Sequence, residues 1–72
     1  MFSDLLRQAR SKAGLTQDEL AAKVRVSREY ISLLEGGKRT PTIYVFIRIS
    51  RALGISPAIL IDQVEKTMPK KA

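Results

Sequence analysis

The sequence predicts an all-α protein, and two kinds of observation support this fold class. Glycines and prolines divide the chain into segments of helix length; they stand at Gly14, Gly36, Gly37, Pro41, Gly54 and Pro57. Three of the segments begin with the same arrangement of capping and apolar residues. The chain has 72 residues, enough for one domain. We expect this domain to occupy residues 1–65 and a basic, frayed tail to occupy residues 66–72.

The first helix is expected over residues 3–13. Ser3 is a suitable N-cap, and Asp4 places a negative charge at the positive end of the helix dipole. Gly14 follows the last helical residue, where a left-handed conformation commonly ends a helix.

Three later helix starts share one arrangement of capping and apolar residues. Thr16 and Glu19 form a capping box, in which each side chain accepts a hydrogen bond from the backbone N–H of the other residue. Leu15 and Leu20 have the spacing of a hydrophobic staple around this cap. The staple spacing recurs at two later starts: Val26 with Ile31 around Ser27, and Ile55 with Leu60 around Ser56. This repetition predicts three further helix starts.

The segment 42–49 favours a strand by propensity, because it is rich in β-branched and aromatic residues. A single strand would have no partner in this sequence, and its open edge would invite aggregation. As a helix, the segment and the residues after it place five side chains on one face: Ile43, Phe46, Ile47, Ser50 and Leu53. We therefore expect a helix here.

Charge and composition limit the function. The chain has 13 lysines and arginines against 7 aspartates and glutamates, and its net charge of +6 favours polyanions as partners. It has no cysteine and no histidine, which excludes disulfides, thiol and imidazole catalysis, and metal sites built on those ligands. The carboxylates are scattered over different faces. We expect no enzymatic activity, no metal and no cofactor.

The sequence also predicts a cytoplasmic protein. Its longest apolar run, residues 43–47, is too short to cross a membrane. Asp4 stands where a signal peptide would have a basic region. No small-molecule ligand is evident from the sequence.

Residues 17–37 carry the pattern that indicates function. Two short capped helices are separated only by Val24, Arg25 and Val26. This spacing is typical of a helix-turn-helix, in which one helix supports a second that enters the DNA major groove.

At these residues the chain resembles the phage repressor and Cro-like helix-turn-helix proteins, also called the xenobiotic-response-element (XRE) family. The resemblance spans roughly residues 3–62 and rests on Gln17, Leu20, Ala21, Val26, Ser27, Ile31, Ser32, Glu35, Gly37, Pro41 and residues 52–56. It implies a compact five-helix, lambda-repressor-like fold, with a helix-turn-helix over about residues 16–35. It also implies sequence-specific DNA binding, usually as a two-fold dimer on a palindromic operator. Small restriction–modification controller proteins are similar members.

Arg25 departs from the family pattern, which usually has glycine at this point of the turn. A left-handed conformation costs a residue with a Cβ about 1 kcal/mol more than it costs glycine. We expect either a strained turn or a slightly different turn geometry.

The third helix has an outer face that the family places against DNA bases. On a helical wheel, Ile31 and Leu34 face inward, and the outer residues are Arg28, Glu29, Ser32 and Leu33. The arginine can bind guanine, and Glu29 can accept from cytosine or orient Arg28. Phosphate contacts are expected from Gln17, Ser27, Lys38, Arg39 and Thr40. The resemblance further implies that Glu35 pairs with Arg10 for stability.

Apolar residues of the last two helices exceed what one small core needs. The resemblance assigns Ile43, Phe46, Ile49, Ser50 and Leu53 to the core. Surplus apolar residues predict a homodimer interface, formed by Tyr44, Val45, Ile47, Ile59, Leu60 and Val64.

The resulting hypothesis is a DNA-binding transcriptional regulator, specifically a homodimeric repressor. The alternative is an antitoxin-type module that binds a partner protein and regulates its own gene through the same helix-turn-helix. A third hypothesis is a nonspecific architectural protein, which would bind all duplexes equally and with a steep salt dependence.

Overall fold

Five α-helices and their short connections form residues 2–69, the part of the chain that the computed structural model describes. They are α1 (Phe2–Lys12), α2 (Gln17–Val24), α3 (Arg28–Glu35), α4 (Ile43–Ala52) and α5 (Pro57–Thr67). No strand occurs within these residues, and the segment of high strand propensity forms α4. The all-α fold class and the five helices are therefore confirmed.

The predicted caps of α2 and α3 are present. The Thr16 hydroxyl accepts a hydrogen bond from the backbone N–H of Glu19 at 3.1 Å, and the Thr16 N–H donates to Glu19 Oε1 at 2.8 Å. Ser27 Oγ accepts from the Tyr30 N–H at 3.0 Å. Thr16 precedes α2 and Ser27 ends the turn between α2 and α3, so the two caps define where each helix of the pair begins.

The other helix starts differ in detail. Thr42 caps α4 through a 3.2 Å bond from the Val45 N–H, a cap that the sequence analysis did not identify. Ser56 occupies the N-cap position of α5, but its side chain makes no capping hydrogen bond. Pro57 at the first helical position fixes the backbone there instead.

The prediction that Ser3 caps α1 was wrong, because α1 already includes Phe2. The centres of the Phe2 and Phe46 rings lie 5.6 Å apart. This contact holds the start of α1 against the core. The helix ends at Lys12, one residue before the expected end, and Gly14 follows it in the predicted left-handed conformation, with a φ of +73°.

α5 ends at Thr67, beyond residue 65, where the sequence placed the end of the domain. Lys66 pairs with Asp62 one turn earlier at 3.0 Å, and Thr67 Oγ1 donates to the Val64 carbonyl at 2.7 Å. Residues 70–72 of the expected frayed tail lie outside the described part of the chain.

The core lies between α1, α2, α3 and α4. Seven buried side chains form it: Leu6, Leu20, Ala21, Val24, Ile31, Leu34 and Ile49. α5 packs on α1 and α4 and buries Leu60. The burial of these apolar groups is the main force that fixes the position of α3 on the domain.

Two predictions about apolar residues were wrong. Ile43, expected in the core, is 60% exposed because it is the first residue of α4 and projects past the edge of the core. Leu60, expected at a dimer interface, is only 1% exposed because it fills the space beneath α5. Ser50 is buried as expected, and its hydroxyl donates to the Phe46 carbonyl at 2.9 Å.

Within residues 2–69 there is no single helix long and apolar enough to cross a membrane. α4 and α5 meet that length and composition only as a pair, and the pair is bent by 112°.

Candidate nucleic-acid interface

α2 and α3 form a helix-turn-helix whose turn is closed by Arg25. This residue has a φ of 66° and a ψ of 46°, the left-handed conformation that usually selects glycine. The N–H groups of Arg25 and Val26 both donate to the Ala21 carbonyl. Arg25 is the one non-glycine residue with positive φ in the described part of the chain. The turn is therefore strained, as the sequence allowed, and its hydrogen bonds hold it in place.

α3 separates its side chains onto two faces. Ile31 and Leu34 have no exposed area and pack on the core. Arg28, Glu29 and Ser32 are exposed, and Leu33 on the flank is 39% exposed. The structure thus brings the four residues predicted to read bases together on the open side of one helix.

Arg28 forms an ion pair that the sequence analysis missed. Its Nε lies 3.6 Å from Oδ1 of Asp18, and both side chains are more than half exposed. The sequence suggested Glu29 as the residue that could orient Arg28, but the carboxylate at the guanidinium comes from α2. Only the packing of α3 on α2 brings their first turns together, so spacing along the chain gave no signal.

Gln17, predicted to bind a phosphate, takes part in a buried network centred on Glu35. Gln17 Nε2 donates to Glu35 Oε1 at 3.1 Å. Arg10 donates to both carboxylate oxygens, from Nε at 2.6 Å and from Nη2 at 3.1 Å. Arg7 donates to the Glu35 carbonyl at 3.1 Å. The expected pair of Arg10 with Glu35 is confirmed, and it also fixes the start of α2.

The charge state of Glu35 follows from this network. Burial raises the pKa of the Glu35 carboxyl, but the hydrogen bonds from Arg10 and Gln17 and the charges of Arg10 and Arg7 outweigh burial and lower it. The hydrogen bond to Glu35 raises the pKa of Arg10 against the opposing effect of burial. Both groups are therefore charged near neutral pH.

The basic loop after α3 is fixed to the end of that helix. The N–H groups of Lys38 and Arg39 donate to the Leu33 carbonyl at 2.9 and 3.3 Å. The Arg39 guanidinium lies over the Tyr30 ring, 5.7 Å from its centre. Lys38, Arg39 and Thr40 are exposed. The loop therefore holds positive charge beside the open face of α3.

α4 and α5 carry a set of exposed apolar side chains, which are Ile43, Tyr44, Ile59 and Ile61. Tyr44 and Ile59, predicted at a dimer interface, are 75% and 56% exposed. Val45, Ile47 and Val64 of that prediction are half-buried. Ile43 and Ile61 were not among the predicted residues.

With this geometry in place, the profile of the helix-turn-helix family matches residues 6–60. The chain belongs to the helix-turn-helix family. It is of the XRE type, whose members are DNA-binding transcription regulators. The resemblance identified from residues 17–37 is thereby confirmed.

Individual relatives agree over most of the chain. An uncharacterised HTH-type transcriptional regulator of Methanothermobacter thermautotrophicus is 48% identical over 62 residues, covering 82% of this chain and 90% of that protein. The control protein C.BamHI of Bacillus amyloliquefaciens is 38% identical over 63 residues, covering 86% and 78%.

Solved structures of SinR, a transcriptional regulator of Bacillus subtilis, are similar to the whole fold. SinR in complex with DNA has a TM-score of 0.79 and 30% identity, covering 86% of this chain and 100% of that one. The SinR–SinI complex has a TM-score of 0.80 and 28% identity, covering 99% and 70%.

Proposed function

We propose that this protein is a sequence-specific transcriptional repressor that binds a palindromic operator as a homodimer. The observation that carries the proposal is the open face of α3, where a helix-turn-helix presents Arg28, Glu29, Ser32 and Leu33 to solvent. A helix placed in this way fits the major groove, where each base pair offers a distinct pattern of donors and acceptors.

Each of the four residues has a chemistry that suits a base edge. Arg28 can donate two hydrogen bonds to O6 and N7 of a guanine, and Glu29 can accept from N4 of a cytosine. Ser32, one turn further along α3, can donate or accept. Leu33 can contact a thymine methyl group. These contacts would carry the sequence preference.

A second group of residues would bind phosphates and position the protein on the duplex. Lys38, Arg39 and Thr40 are exposed in the loop after α3. Ser27 and Gln17 lie at the starts of α3 and α2, where backbone N–H groups favour an anion. One N–H of the Gln17 amide binds Glu35, which leaves the other for a phosphate oxygen. The net charge of +6 adds attraction that carries no sequence information.

The homodimer would form through α4 and α5. Tyr44 and Ile59 are large, exposed and apolar, and the half-buried Val45, Ile47 and Val64 belong to the same two helices. A dimer whose two-fold axis passes through this interface would present two copies of α3 to the DNA. Successive major-groove half-sites require the two copies to lie about 34–36 Å apart.

A second candidate is an antitoxin-type module that binds a partner protein and regulates its own gene. The exposed apolar side chains of α4 and α5 support it, because a partner protein can cover them as well as a second copy can. SinR, with a similar fold, is solved in complex with the SinI protein.

Selection of binding sites from a randomised duplex library at about 0.15 M salt tests the proposal. The expected result is a palindromic consensus whose half-site spacing equals about one helical turn. A folded protein that enriches no consensus would contradict sequence-specific binding. In that case, copurification of a stoichiometric protein partner would favour the second candidate, and equal affinity for all duplexes would favour an architectural protein.

A further inference from the structure

Asp18 lies beside the residue best suited to read a guanine. It stands in the first turn of α2, and its Oδ1 is 3.6 Å from Nε of Arg28 in the first turn of α3. We propose that Asp18 is a specificity-determining residue, which acts by holding the Arg28 guanidinium in the orientation that reads a base. This inference rests on the proposed function of α3.

The geometry of the guanidinium explains how one carboxylate can orient a base contact. Arginine has two usable edges, one formed by Nε and Nη2 and the other by Nη1 and Nη2. Asp18 lies at Nε of Arg28, so the edge formed by the two Nη atoms stays free. That free edge matches the two acceptors O6 and N7 of guanine.

Asp18 also disfavours a contact between Arg28 and a phosphate, which would compete with the contact between Arg28 and a base. A long, exposed arginine at the protein–DNA boundary can turn toward a phosphate, which binds it without regard to sequence. The negative charge of Asp18 beside Arg28 repels nearby phosphates and offsets part of the attraction of the net charge of +6. Asp18 is therefore expected to lower affinity for DNA in general and to raise the preference for guanine.

The local structure leaves Asp18 available for this role. The hydrogen bonds that cap α2 come from Thr16 and Glu19, and the Asp18 side chain is 78% exposed. Its position in the first turn also suits the helix dipole, so a purely structural role is the competing explanation. Asp4 offers a matched control, because it is also an exposed aspartate in the first turn of a helix and pairs with an arginine, Arg7, at 3.9 Å.

The test compares Asp18→Asn, Asp4→Asn, Arg28→Ala and the double variant Asp18→Asn/Arg28→Ala. The affinity of each variant is measured for three kinds of duplex. These are the selected operator, operators altered at the guanine whose recognition Arg28→Ala removes, and random duplex DNA. We expect Asp18→Asn to lower discrimination at that guanine about three- to tenfold, between the effects of an exposed ion pair and a bidentate base contact. It should also bind random DNA more tightly.

Asp4→Asn is expected to bind random DNA more tightly as well, without a change at that guanine. In the absence of Arg28, Asp18→Asn should leave base discrimination unchanged, because Asp18 acts through that side chain.

Three results would overturn the inference while leaving the proposed function intact. One is a consensus that Arg28→Ala does not relax at any guanine. Another is that Asp18→Asn discriminates at that guanine as well as the wild type does. This result counts against the inference even if the variant melts at a lower temperature, because the role of Asp18 would then be structural only. The third is an equal effect of Asp18→Asn with and without Arg28. A wild-type protein that selects no consensus would instead contradict the proposed function itself.

Discussion

Arg10 of α1 donates hydrogen bonds to both carboxylate oxygens of Glu35, at the end of α3, at 2.6 and 3.1 Å. Gln17 of α2 donates to the same carboxylate at 3.1 Å, and Arg10 Nη1 donates to the Leu15 carbonyl at 2.8 Å. One buried carboxylate therefore joins α1, the start of α2 and the end of α3. The position of α3 relative to the rest of the domain depends on this network.

Glu35→Gln is expected to lower the free energy of unfolding by about 3 kcal/mol near neutral pH, because Arg10 then stays mostly buried without a counter-charge. The folded state lowers the pKa of Glu35. The stabilisation is therefore complete above the unfolded pKa of about 4.3 and is lost as the pH falls through the lower folded value. Denaturant unfolding at about pH 7 and about pH 3 should show the gap between wild type and variant narrowing in acid.

A double variant controls for the charge. Arg10→Met/Glu35→Leu replaces the ion pair with apolar groups and should regain much of the lost stability, since neither charge is left buried alone. An equal gap between wild type and Glu35→Gln at both pH values would show that the carboxylate charge is not the source of the stabilisation.

Arg25→Gly is expected to raise the free energy of unfolding by about 0.5–1 kcal/mol, because glycine adopts the φ of 66° without the Cβ penalty. For a domain of this size, thermal melting should shift upward by about 2–8 °C. Gly14→Ala is the matched control of opposite sign. Gly14 has a φ of +73° with open space around an added Cβ, so alanine should destabilise by about 1 kcal/mol through backbone strain alone. A destabilised Arg25→Gly would contradict the strain.

Local chemistry made much of the fold predictable. The capping box of Thr16 and Glu19 and the cap at Ser27 depend on residues three positions apart, so the sequence alone was enough to place α2 and α3. The inward face of α3 followed in the same way from the helical period. The left-handed turn at Arg25 is one of the two outcomes expected from the family resemblance, in which glycine usually stands at this point.

Features that depend on packing between helices were not predictable in this way. The helical period places Ile43 in line with Phe46, but it does not tell where the core ends, and Ile43 lies beyond that edge. Leu60 is apolar like its exposed neighbour Ile59, and only the docking of α5 decides which of the two is buried. The pair of Asp18 with Arg28 likewise depends on how two helices cross.

Arg28→Ala is expected to weaken binding to the selected operator by about 1–3 kcal/mol and to relax one operator position, because the proposed bidentate contact to guanine is lost. Binding to random duplex DNA should fall much less. Fluorescence anisotropy titrations with operator and random duplexes at the same salt concentration measure both effects.

Lys38→Ala is the companion variant for the phosphate contacts. Its side chain is exposed in the loop beside α3, so its loss should weaken binding to all duplexes alike. The slope of log affinity against log salt should flatten by about one unit for one lost contact. If Arg28→Ala and Lys38→Ala changed operator and random DNA in the same proportions, the division between base-reading and phosphate-binding residues would be wrong.

Tyr44→Glu and Ile59→Glu are expected to convert the proposed homodimer into monomers, because each places a charge among apolar side chains that a second copy would bury. Their circular dichroism spectra should match the wild type, since Tyr44 and Ile59 are 75% and 56% exposed. Leu60→Ala, at a site only 1% exposed, is the contrasting variant and should lose about 2–5 kcal/mol of stability. Sedimentation equilibrium at tens of micromolar measures the change, and a wild type that sediments only as a monomer would contradict the dimer.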